Sequence, residues 1–309
     1  MGPSPHHRVS RRTTLGLLAG SLASAVWAQG QTVAEKVEHL AIGNYGMQSL
    51  TLEDAIREVA AIGFGGFELC AIPQWDSTPT RMDNNRRKAV RSLLEAASLR
   101  LVAVMEDLPP QADEGKHAQG QDRLKAAIEL GRDLSPAKPA LVQTVLGGGQ
   151  WDEVKNMFRD RVGDWAQLAE RLDATVCIKP HRFGAMSTPA QAAWIIEQLN
   201  NTARIRIVYD YSHYAFRDLS IADTIQQGRQ LIAYVAMKDA VQSGDKVSFA
   251  LPGEKKTIDH AAIAHTLAAS GYRGDFCCEV SGQVSSKPGY EPIAAARVCF
   301  ENMKAVPHA

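Results

Sequence analysis

The sequence has no excess of charge of either sign: 34 Lys and Arg balance 34 Asp and Glu over 309 residues. That balance gives no electrostatic pull toward a polyanion, so nucleic acid is not an expected partner. Cysteine is scarce. The five residues Cys70, Cys177, Cys277, Cys278 and Cys299 include no CxxC pair, so neither a disulfide framework nor a zinc knuckle is expected. Most of them lie in apolar strand-like runs, where cysteine packs as a small hydrophobe. Past residue 30 no apolar run reaches the roughly 20 residues of a membrane-spanning helix, so no stable membrane anchor is expected. A glycine-rich dinucleotide fingerprint after the first strand is also missing, which weighs against an open doubly wound sheet.

What is present starts with an export signal. Ser10-Arg11-Arg12 precedes the short apolar run Leu15–Ala28, which ends in the small-residue stretches Ala23-Ser24-Ala25 and Val26-Trp27-Ala28. A basic start, an apolar stretch too short to span a bilayer and a small-residue end describe a cleavable signal. Ser10-Arg11-Arg12-Thr13-Thr14-Leu15 has the form of a twin-arginine motif. Residues 1–28 are therefore expected to be a signal peptide, with the mature protein in the periplasm or secreted.

From there the chain alternates. Short apolar runs at His39–Ile42, Gly66–Cys70, Leu101–Met105, Ala140–Leu146, Thr175–Ile178, Ile205–Tyr209, Ala233–Met237 and Asp275–Val280 are separated by longer amphipathic segments. Nearly continuous apolar strands suit a parallel sheet covered on both faces. Helix punctuation supports this. Thr51-Leu52-Glu53-Asp54 has the spacing of a capping box and Gly63 stands at a C-cap, while Thr188-Pro189-Ala190-Gln191 combines a cap, an N1 proline and a reciprocal glutamine. Eight strands and eight helices predict an α/β fold, a (β/α)8 TIM barrel, as a single domain over residues 35–305. An echo between Gly63–Glu68 and Gly271–Glu279 puts one glutamate at each strand end, where barrel active sites are built.

Several units, in this order, resemble the xylose-isomerase-like barrels, the sugar phosphate isomerase/epimerase-like family. They are Gly63-Phe64 through Glu68, Asp210-Tyr211-Ser212-His213, Lys238-Asp239, Pro252-Gly253-Glu254 with Ile258-Asp259, and Glu279. The resemblance covers roughly Leu40 to Lys304. It implies a divalent metal held by a glutamate after strand five, an aspartate after strand six, a histidine near the end of strand seven and a glutamate on strand eight. The chain departs from that set twice. Lys179 stands at the first glutamate position, and Ala236 stands where the histidine belongs. Only Asp210 and Glu279 remain, too few for a well-held transition metal, so the expected cofactor is none or a weakly held divalent metal.

Lys179 admits two readings. Its ammonium either replaces the cation, keeping Asp210 and Glu279 ionised and stabilising charge that develops next to a carbonyl, or forms a structural salt bridge. A Schiff-base role is disfavoured, because paired carboxylates keep the amine protonated. His181, two residues on, and His213, three after Asp210, are expected at the mouth, as substrate contacts or proton carriers, with backbone hydrogen bonding as the alternative. Glu68 and Glu106 are candidate general bases. Lys238, Arg182 and Trp75 are candidate substrate contacts, and Trp75 or Trp151 could stack on a sugar or pack against helices. His39, at the other end of the first strand, is expected to be structural.

The function these residues imply is an exported isomerase or epimerase that moves a proton at a carbon next to a carbonyl of a small carbohydrate. Elimination across a keto-glycoside uses the same acidic carbon, and a barrel that has lost catalysis and binds a sugar is the alternative of a different class.

Overall fold

The computed structural model describes residues 1–2 and 36–308. Apart from its first two residues, the expected export signal lies outside these. Eight parallel strands close a barrel: β1 (Val37–Gly43), β2 (Phe64–Cys70), β3 (Arg100–Met105), β4 (Leu141–Val145), β5 (Val176–Lys179), β6 (Ile205–Tyr209), β7 (Ile232–Met237) and, as the eighth, β10 (Phe276–Cys278). Each pairs with its sequence neighbours in the barrel, and β1 closes the ring by pairing with both β2 and β10. All eight coincide with the apolar runs expected from sequence.

The helices form where the cap chemistry directs. α1 (Leu52–Ile62) starts at Thr51, whose hydroxyl accepts the Asp54 N–H at 3.1 Å, and stops at Gly63 with φ +118°. That conformation suits a residue with no Cβ. The expected reciprocal half of this box does not form, because the shorter Asp54 side chain accepts the Thr51 hydroxyl instead, at 2.8 Å. At α5 (Pro189–Gln198) the box is complete: Thr188 caps Gln191, and the glutamine oxygen accepts the Thr188 N–H.

One expectation is corrected in detail. Between β7 and α7 (His260–Ala269) the chain makes an antiparallel hairpin of its own, β8 (Asp239–Ser243) and β9 (Lys246–Ala250), a separate two-stranded sheet. A four-residue helix, α8 (Gly282–Ser285), likewise precedes the last long helix, α9 (Pro292–Met303). Among the described residues no helix is long and apolar enough to cross a membrane.

Strand alternation sorts the interior into two cores. Leu40, Ile42, Val176, Ile178, Ile207, Tyr209, Val235, Met237, Phe276 and Cys278 face the helices in the large cluster. Ala41, Val102, Cys177, Val208, Tyr234, Ala236 and Cys277 form a small cluster in the lumen. One inward step further toward the strand C-termini, the lumen changes character. Ala41 is followed by Gly43, Gly66 by Glu68, Leu141 by Gln143, Cys177 by Lys179, Val208 by Asp210, Ala236 by Lys238 and Cys277 by Glu279. An apolar plug thus carries a polar ring at the mouth.

Candidate active site

The ring is a tightly paired charge cluster. Lys179 Nζ lies 3.0 Å from Asp210 Oδ2 and bonds Glu279 Oε2. Lys238 Nζ lies 2.7 Å from Glu279 Oε1 and bonds Asp210 Oδ2. Asp210 Oδ1 accepts the Ser212 N–H at 3.2 Å and its hydroxyl at 2.6 Å. Asp210 is wholly buried and both lysines are nearly so. Charges taken from water are tolerated when fully paired, and here two ammonium groups face two carboxylates.

That pairing sets the proton affinities. Burial alone would raise both carboxylates, but Lys238 and Lys179 outweigh it. Asp210 is held well below the usual range, and Glu279 falls to about 2. Burial would likewise lower Lys179, but Glu279 and Asp210 prevail and raise it, so its amine stays charged.

Two histidines cover the cluster. His213 is fully buried; Nδ1 accepts the Arg182 N–H at 3.2 Å, while Nε2 lies 3.2 Å from Lys238 Nζ and 3.4 Å from Asp210 Oδ2. His181 packs on it with ring centres 4.1 Å apart. Burial, reinforced by the ammonium charges, pushes His181 down to about 4 and His213 to about 3, so both rings are neutral at pH 7. From β9, the Phe249 ring closes over Lys238 at 5.0 Å and meets the His213 ring edge-on at 5.0 Å. The hairpin that sequence reading missed thus supplies a wall of the site.

Beside the cluster opens a cleft of about 170 Å³, lined by Tyr45, Ile72, Met105, Glu106, Asp107, Gln143, Val145, Lys179, His181 and Glu279. Larger hollows lie at the opposite end of the strands, around Arg100 and Asp275 and around His39. Asp275 is paired there with Arg100, and His39 Nδ1 lies 3.6 Å from it, as expected for a structural residue.

Lys179, His181, Glu279 and Glu106 therefore meet on one cleft, with Asp210 directly behind. Four other expectations are corrected. Lys238 does not face the cleft: it is spent on Asp210, Glu279 and His213 beneath Phe249. His213 is too deeply buried to touch a substrate. The Arg182 guanidinium turns to the Ala215 carbonyl, and its backbone serves His213. Trp75 lies behind the wall, stacked on Tyr45 at 5.1 Å with Nε1 donating to the Tyr45 carbonyl at 3.1 Å, and Trp151 packs on Trp194 between helices.

Glu68 lies just behind the wall, where Gln143 Nε2 donates to it at 3.0 Å. Burial, aided by the negative Glu279, raises Glu68 to about 7. Gly43 separates the two glutamates along the sheet; a Cβ there would come within 2.9 Å of Glu68 Oε1. Burial also raises Glu106, against the pull of Arg123, whose Nε lies 3.3 Å from Oε1. Sequence reasoning missed Tyr45, Asp107 and Gln143. Of these, Gln143 was findable, as a long polar side chain two residues on from Leu141 in a mostly apolar strand.

Residues 56–300 match the family described as xylose isomerase-like TIM barrel. The chain belongs to that family. It shares 23% identity over 252 residues with L-ribulose-5-phosphate 3-epimerase UlaE of Salmonella typhi, covering 79% of this chain and 87% of that protein. Its fold is similar to that of 3-keto-D-glucoside 4-epimerase YcjR of E. coli, with TM-score 0.66, 17% identity, and 85% and 97% of the two chains covered. It is also similar to that of the IolI protein with a bound zinc atom, with TM-score 0.72, 17% identity, and 87% and 98% covered.

The donors present here do not suit such an ion. Among the described residues no group of three or more His, Cys, Asp or Glu side chains stands together as a metal site. Both oxygens of Glu279 and both of Asp210 already accept hydrogen bonds, from ammonium groups or from Ser212.

Proposed function

We propose that this chain is an exported, periplasmic isomerase or epimerase of a small, unphosphorylated carbohydrate, moving a proton at a carbon next to a carbonyl. The observation that carries this reading is Lys179: a buried, permanently charged ammonium on the wall of a small cleft at the catalytic end of the barrel. A substrate carbonyl facing it would find its developing enolate oxygen stabilised by fixed positive charge in a site of low dielectric. Glu106, on the same wall and raised by burial, takes the proton from carbon, and the neutral His181 orients a neighbouring hydroxyl.

The cleft volume supports a single sugar ring, being below the roughly 300 Å³ at which sites for drug-sized ligands begin. Its charge supports a neutral one. Three carboxylates line it, Glu106, Asp107 and Glu279, and its one ammonium is already shared by two carboxylates, so a phosphate would meet repulsion. The signal over residues 1–28 supports export.

The test is solvent exchange. Mature protein is incubated in D2O with ketohexoses and with 3-keto-glucosides, and deuterium entry next to the carbonyl is followed by NMR. Exchange is expected for at least one of them, and its loss in Lys179→Met. Saturable binding without exchange or product would instead make the barrel a sugar receptor, and a cleaved keto-glycoside would make it a lyase.

A further inference from the structure

We propose that Lys179 and Lys238 act as a pair in place of a divalent cation, two ammonium groups supplying between Asp210 and Glu279 the double positive charge that a metal ion would bring. The lysine expected to compensate was Lys179 alone; the geometry assigns equal weight to the second. Each ammonium bridges both carboxylates. The two oxygens of Glu279 are divided between them, Oε2 to Lys179 and Oε1 to Lys238, and Asp210 Oδ2 is shared. This is how a bridging cation would engage the two side chains, and the remaining oxygen, Asp210 Oδ1, is taken by Ser212.

An incidental salt bridge would need one lysine. The second is 1% exposed, stands outside the cleft lining and is boxed in by His213 at 3.2 Å and the Phe249 ring at 5.0 Å. Its desolvation is offset chiefly by the two carboxylates, and their mutual repulsion is relieved chiefly by the two lysines. The backbone fits the same account. Lys179 ends β5, and Asp210, Lys238 and Glu279 each stand one residue past β6, β7 and β10, four strands adjacent in the barrel, so the lysines alternate with the carboxylates around its mouth. Ala236, one inward step below Lys238, offers no ligand atom.

The two lysines then have separate tasks. Lys179 lines the cleft; Lys238 is a positioning residue that holds Asp210 and Glu279 in place from behind. None of this depends on the chemistry proposed above, because the test needs no substrate.

Purified protein is equilibrated with MnCl2 or ZnCl2, desalted, and assayed for bound metal and for melting temperature with and without the ion. The wild type should retain no stoichiometric metal and should melt at the same temperature either way. The variant Lys179→Glu/Ala236→His/Lys238→Met should retain close to one ion per chain and melt higher with Mn2+, as linkage requires of a native-state ligand. Should that variant not fold, Lys179→Met/Lys238→Met provides the same reading, with Mn2+ expected to raise its melting temperature or restore its native circular dichroism. A stoichiometric ion in the wild type that is lost in Asp210→Asn would overturn the proposal. So would folded variants that ignore Mn2+.

Discussion

The two halves of the barrel mouth use the same residue type to opposite ends. On the β2–β4 side, Glu68 is buried beside the neutral Gln143 and Glu106 beside the part-exposed Arg123, and burial prevails, so their proton affinities rise, Glu68 to about 7. On the β5–β10 side, Asp210 and Glu279 are buried just as deeply but between two ammonium groups, and theirs fall, Glu279 to about 2. Burial is the first cause in all four; the neighbours decide the sign. A carboxylate near 2 is a poor acceptor at pH 7, whereas one raised above its ordinary value is a good one. On the reading proposed above, the half of the mouth that resembles a metal site supplies fixed charge, and the other half takes the proton.

The largest expected effect comes from erasing that difference. Lys179→Met leaves Asp210 and Glu279 with one ammonium between them, so one carboxylate should take up a proton and resemble Glu68. Breaking a buried pair from one side costs about 3–5 kcal/mol, measurable by urea unfolding. Loss of the fixed charge should lower turnover by about 10²–10³-fold. Unchanged stability would show that Lys238 alone suffices.

Next is Glu68→Gln. Because folding raises the Glu68 pKa from 4.5 to about 7, the protein binds this proton more tightly when folded. Its contribution is most favourable below pH 4.5 and is lost as the pH rises through about 7. The wild type should lose up to about 3 kcal/mol of stability across that window, and the Gln variant should lack this slope. Parallel pH–stability curves for the two proteins would contradict the assignment.

The smallest effect is expected at the rim. Arg123 is 40% exposed and restrains the rise of Glu106. Arg123→Ala should raise the Glu106 pKa further, seen by carboxyl NMR titration, with a stability change of about 1 kcal/mol or less, because exposed partners are screened. A fall in that pKa would reverse the roles assigned to burial and to the pair.

Much of this is legible in the sequence. Strands covered on both faces leave continuous apolar runs, so β1–β7 and β10 could be placed, and Lys179, His181, Asp210 and Glu279 follow from being at or just past strand ends. What failed was direction and reach. Lys238 was expected to meet substrate, but a four-carbon stem at an inward position bends as readily toward neighbouring carboxylates as toward a ligand, and only the three-dimensional arrangement decides. Arg182 and Trp75 sit in loops whose backbone path, not residue type, turns them from the cleft. The hairpin β8–β9 was missed because its strands are short and polar at the tip, with Ser243 and Lys246 flanking the turn.

Phe249 belongs to that hairpin, which hydrogen-bonds to itself, is tied to α8 through the Gln283 side chain at 2.9 Å, and shares no pairing with the barrel sheet. The dryness of the buried lysine is thus set by a hairpin outside the barrel sheet, packed into the core through Ala240 and Phe249, while its position is set by the end of β7. A change confined to Phe249 should therefore alter how strongly the charges beneath it are felt, because water let in weakens them, while the strand register stays as it is.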